Sequence, residues 1–112
     1  MTYTGSTTWN LKEGRYQVDY VEPLGIPGVA RQLSATSTST NTALTATVSR
    51  ISLRAVGADI RYKIGSGTQT ATATSHFIGN GERLDIAVPQ NANIAVLRNA
   101  TTNGTLELTE LV

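Results

Sequence analysis

The 112-residue chain has no cysteine, and it contains a single histidine, a single tryptophan, a single phenylalanine and a single methionine. Without cysteine there is neither a disulfide staple nor a thiolate metal site, so packing alone holds the fold together. One histidine cannot supply the cluster of His and carboxylate ligands that a cupin-type metalloenzyme needs. Charge of one sign is lacking too. Nine basic residues face eight acidic ones for a net of +1, interspersed along the chain. A basic face interleaved with aromatic platforms, the usual mark of a nucleic-acid binder, is not there, and no nucleic-acid partner is expected. No apolar run approaches the roughly 18 residues of a membrane span, and the start Met1-Thr2-Tyr3-Thr4 has no basic region followed by an apolar stretch. A soluble product made in the cytoplasm is expected, with no membrane partner. A domain this small buries a modest core, which makes oligomerisation an expected source of added stability.

What the sequence has instead is a period of two. Ile51/Leu53/Ala55, Ile60/Tyr62/Ile64, Leu84/Ile86/Val88, Ile94/Val96 and Leu106/Leu108 fall on alternate residues, which places each set on one side of a pleated strand. Strands are predicted near 48–56, 59–64, 70–77, 82–88, 93–98 and 105–111. The breaks between them, Val56-Gly57-Ala58, Gly65-Ser66-Gly67, Gly79-Asn80-Gly81, Pro89-Gln90-Asn91 and Asn103-Gly104, carry turn chemistry. The expected fold is all-β, an antiparallel β-sandwich of jelly-roll-like topology, with Ile51, Leu53, Ile60, Tyr62, Ile64, Leu84, Ile86, Val88, Ile94, Val96, Leu106 and Leu108 facing inward.

Residues 1–30 differ from the rest. They hold Trp9, three of the four tyrosines (Tyr3, Tyr16, Tyr20), Pro23 and Pro27, and Gly at 5, 14, 25 and 28. Proline removes ladder donors and glycine loosens the backbone, so only 15–21 reads as a strand. Aromatics in such number bury large areas where they find a surface, and the segment reads as an extended N-terminal arm packing on its own domain or on a neighbour. The sandwich domain is then 31–112. Near the start of this domain, the hydroxyl-rich tract Thr36-Ser37-Thr38-Ser39-Thr40-Asn41-Thr42 reads as an exposed loop between strands.

Candidate sites are few. Ser75, His76 and Asp85 include the residue types of a hydrolytic triad, but neighbouring strand residues point to opposite faces, so Ser75 and His76 cannot meet as nucleophile and base. Gly65-Ser66-Gly67 and Gly79-Asn80-Gly81 lack the helix and the Lys-Ser/Thr of a phosphate loop and read as hairpin turns. Asp59, Glu82 and Asp85 have no calcium-loop spacing. No catalytic residue, metal ligand or cofactor is expected.

The segments 48–65 (VSRISLRAVGADIRYKIG), 70–78 (TATATSHFI), 81–85 (GERLD), 93–98 (NIAVLR) and 104–111 (GTLELTEL) resemble a group of small virion proteins of tailed bacteriophages. The resemblance spans residues 31–112 and leaves the arm unmatched. It implies a structural component of the virion, foremost a capsid decoration (cement) protein that bridges major capsid subunits, with tail-associated or fibre-like roles as alternatives. A homo-oligomer, trimer favoured, fits a small β-domain gathered about a symmetry axis. The residues expected to contact a partner are Trp9, Tyr16 and Tyr20, as aromatic anchors, and the arginines Arg15 and Arg31. A carbohydrate-binding module is the rival from another class, with the same aromatics as stacking platforms.

Overall fold

Alternation of buried and exposed side chains runs through the strands as the period of two requires. Ile51, Leu53 and Ala55 are buried on one strand, Ile60 and Tyr62 on the next, and Leu106 and Leu108 on the last. The computed structural model describes residues 25–112. It contains eight strands: β1 (Pro27–Ala35), β2 (Thr40–Ala43), β3 (Arg50–Val56), β4 (Ile60–Ser66), β5 (His76–Ile78), β6 (Arg83–Ala87), β7 (Ala92–Arg98) and β8 (Gly104–Leu111). They form two four-stranded antiparallel sheets, ordered β1-β8-β3-β6 and β2-β7-β4-β5. The sheets pack face to face over one apolar core.

All twelve residues expected to face inward do so. Nine are buried, and Ile64, Leu84 and Ile86 are partly buried against the same core. The partial exposure of these three has a shared cause: they lie along the open side of the sandwich, where β5 is short and β6 is an edge strand.

The connections differ from the simple meander that the turns invite. Of consecutive strands, β4 and β5 are paired neighbours, while every other connection passes from one sheet to the other. Gly79-Asn80-Gly81 is therefore not a hairpin turn. It carries the chain between sheets through a tight bend in which the Glu82 amide donates to the Gly79 carbonyl at 2.9 Å and Gly81 takes φ +83°. Gly65-Ser66-Gly67 is not a tight hairpin either, because β4 runs on to Ser66 and residues 67–75 make a long excursion.

That excursion replaces the strand expected at 70–77. The repeated Thr and Ala there have the right alternation but too little apolar bulk to hold a place in a sheet, and only His76–Ile78 pairs. The excursion is tied to the opposite edge of its sheet, with the Gln69 amide donating to Asn41 Oδ1 at 2.9 Å and the Ala71 amide to Ser39 Oγ at 2.8 Å. It thus crosses the outer face of the sheet, which accounts for Ala95 being fully buried although it points away from the core.

Two further differences concern the first third of the chain. Residues 27–30, read as the end of the arm, belong to β1, where Pro27 is tolerated because β1 is an edge strand with a bulge between Pro27 and Ala30. The end of the hydroxyl-rich tract forms β2, a four-residue edge strand on β7. Its polar side chains hide it from a reading based on apolar alternation.

Candidate interaction surfaces

The expected contact residues Trp9, Arg15, Tyr16 and Tyr20 lie outside the described residues. Arg31 sits on β1 and turns inward. Its guanidinium meets Glu110 Oε2 through Nη2 at 3.1 Å and through Nε at 3.2 Å. The same oxygen accepts the Thr45 amide at 3.0 Å. Glu110 is 1 % exposed and is the one buried charged residue among those described. Burial by itself pushes its carboxyl pKa up, but the hydrogen bonds from Thr45 and the Arg31 guanidinium outweigh this and hold it below the ordinary value. Arg31 is thereby committed to an internal ion pair joining β1, β8 and the loop after β2.

The triad residue types do not come together. Ser75 Oγ accepts the Thr72 amide at 2.9 Å inside a local turn. The His76 ring packs on Tyr62, with centroids 5.5 Å apart. Asp85 lies in the other sheet, in register with Ser52. Among the described residues no group of three or more His, Cys, Asp or Glu is arranged to hold a metal ion.

Three surface features have the chemistry of recognition. On the outer face of the second sheet, Arg61 lies over the half-exposed Phe77 ring, its Cζ 4.9 Å from the centroid. Asn99 Oδ1 accepts Arg61 Nε at 2.9 Å and the Ser75 carbonyl accepts Nη1 at 3.0 Å. The guanidinium is held over the ring before any partner arrives, and arginine and exposed aromatics are what protein interfaces favour. Arg61 and Phe77 are directly opposite in register, a relation no linear reading of the sequence displays.

The second feature is an apolar corner. The Ile26 amide donates to the Val112 carbonyl at 2.9 Å and the Val112 amide returns to the Ile26 carbonyl at 2.8 Å, closing both chain ends of the sandwich together. Ile26 and Val112 are each 69 % exposed, and Val29, near the start of β1, is half-exposed.

No family model, curated protein or solved structure matches this chain. What it does must therefore be read from these surfaces.

The third feature is a cleft of about 360 Å³ on the open side of the sandwich, lined by Tyr62, Ile64, His76, Ile86, Ala87 and Pro89. Tyr62 is 7 % exposed. Burial, and secondarily the negative charge of Glu82, push its phenol pKa up.

Proposed function

We propose that this is a non-enzymatic structural protein of a phage particle, one that decorates the capsid and stabilises it by bridging neighbouring major capsid subunits. The observation that carries this reading is the apolar corner of Ile26, Val29 and Val112 at the point where the aromatic-rich residues 1–24 join the sandwich. An exposed apolar patch continuous with a segment holding Trp9, Tyr16 and Tyr20 is the chemistry of a surface that is covered in an assembly.

The strand order supports the same reading. We take β1-β8-β3-β6 against β2-β7-β4-β5, with consecutive strands crossing between sheets, as an eight-stranded jelly roll. That architecture serves viral capsid and lectin domains alike. Fold alone does not separate these uses. Arg61 and Phe77, as a cation–π pair ready to meet a protein surface, join Arg15 and the arm aromatics as contact residues, while Arg31 serves inside the domain. The assembling unit is a homo-oligomer, trimer favoured, and the protein works on the virion after synthesis in the host cytoplasm. The alternative, a tail-associated, fibre or receptor glycan-binding module, rests on Phe77 as an exposed aromatic platform.

Immunogold labelling of purified particles tests the proposal. Label distributed over the head supports decoration. Label confined to the tail replaces it with the alternative, and a glycan array then tests sugar recognition.

A further inference from the structure

We propose that the outer edge of β6 is a contact between two copies of this chain, in which the two β6 strands pair antiparallel across a two-fold axis at Leu84. Of the four edge strands, the other three are defended. β1 carries Pro27, a bulge between Pro27 and Ala30 and the inward-turned charge of Arg31, all of which discourage a further strand. β2 and β5 are four and three residues long and adjoin the excursion of residues 67–75. β6 has no proline and keeps one unbroken register with β3 from Arg83 to Ala87.

The polar groups of its backbone are divided between two sides. The Val88 amide donates to the Ser49 carbonyl at 2.9 Å and the Ala55 amide to the Glu82 carbonyl at 3.3 Å, so the even-numbered residues turn their N–H and C=O groups toward β3. Arg83, Asp85 and Ala87 therefore direct theirs to the outer side, where no described strand lies. Beneath that edge Leu84, Ile86 and Ile64 are only partly buried, so a strand added there gains apolar cover as well as main-chain hydrogen bonds.

The side chains select a second copy as that strand. Arg83 and Asp85 are both exposed, two residues apart on one face and of opposite sign. Arg83 lies opposite Arg54 in register, a like-charge pair, and its Nη2 reaches Ser52 Oγ at 3.4 Å. Antiparallel pairing about a two-fold axis can centre on Arg83, Leu84, Asp85 or Ile86. Centring on Arg83 or on Asp85 sets that charge against its own copy, and centring on Ile86 faces Asp85 with Ala87. With the axis at Leu84, Arg83 meets Asp85 of the second copy and Asp85 meets the second copy's Arg83, which matches both charges and offsets the repulsion from Arg54. Leu84 then packs against its own copy on the core side. Such a contact is isologous and closes as a dimer. It is separate from the three-fold assembly proposed above, to which it would join one trimer with the next, and it does not depend on the particle assignment.

Because the chain has no cysteine of its own, single cysteines report the register without interference. Leu84→Cys faces its copy as a non-hydrogen-bonded pair with Cα atoms about 4.5 Å apart, within disulfide reach. Mild oxidation is expected to give covalent dimers of Leu84→Cys at least tenfold faster than of Ile86→Cys, and equal or reversed rates overturn the proposal. Charge reversal is the second measurement. Arg83→Asp and Asp85→Arg, both at exposed positions, each weaken self-association in analytical ultracentrifugation about tenfold, and an equimolar mixture of the two restores it because every reversed charge then meets its opposite. A wild-type chain that is monomeric at near-millimolar concentration, single variants that associate unchanged, or a mixture that shows no recovery overturns the proposal.

Discussion

Arg31 and Glu110 stand 79 residues apart in sequence and meet through two N–H···O contacts, at 3.1 and 3.2 Å, on a single carboxylate oxygen. With the Thr45 amide on the same oxygen, three separate segments are drawn to one buried point. Breaking such a pair from one side leaves an uncompensated charge, whereas replacing both partners removes the desolvation cost as well. Arg31→Ala is expected to destabilise the domain by about 3 kcal/mol, toward the low end for buried pairs because the Arg31 side chain is a quarter exposed. The double change Arg31→Leu with Glu110→Leu recovers most of that loss. Urea unfolding of the three proteins checks both statements.

The same carboxylate sets an acid limit. Its pKa is held below the ordinary glutamate value of 4.5, so its contribution to stability is present above that value and is lost as pH falls through the lower, folded-state value. Glu110→Gln flattens this part of the pH dependence. Melting temperatures recorded from neutral to strongly acidic pH show a smaller loss for the variant if the account holds.

Cross-strand partners Leu53 and Leu84 give an internal comparison of burial. Leu53 is 1 % exposed in a central strand, and Leu84 is partly buried at an edge. Leu53→Ala is expected to cost about 2 to 5 kcal/mol, and Leu84→Ala clearly less. Equal costs in denaturant titrations contradict the placement of the open side.

Much of the fold was legible because the core strands alternate, with Ala95 on β7 as the exception. Ile51 to Ala55 and Leu106 to Leu108 announce both their strand and their face. Glu110 continues that second series two residues on, yet a carboxylate at that position reads as solvent-facing until Arg31 and Thr45 are known to converge on it. β2 was hidden because Thr40–Ala43 is polar and small, and its place is decided by β7 rather than by its own residues. The Thr/Ala alternation at 70–75 misled for the converse reason, since periodicity without bulk gives no packing energy. Arg61 on Phe77 and the cleft beside Tyr62 follow from strand pairing between distant segments, which local pattern does not encode.

Removing residues 1–24 leaves every described strand intact, whereas a cut at 29 also takes the first three residues of β1. The 25–112 protein is expected to give the same strand-dominated circular dichroism as the full chain and to bind particles at least tenfold more weakly, since aromatic anchors carry a large share of interface energy. Phe77→Ala, which removes an exposed ring, is expected to change stability by less than about 0.5 kcal/mol while weakening the same binding. Sedimentation of each variant with particles stripped of the native protein measures it.

The most direct measurement is the temperature at which particles release their genome, compared with and without this protein. A ligand that binds only the assembled lattice stabilises it by mass action, so particles lacking the protein should release DNA at a lower temperature, and adding purified protein back should restore the original value. Release at the same temperature in both cases contradicts the decoration account.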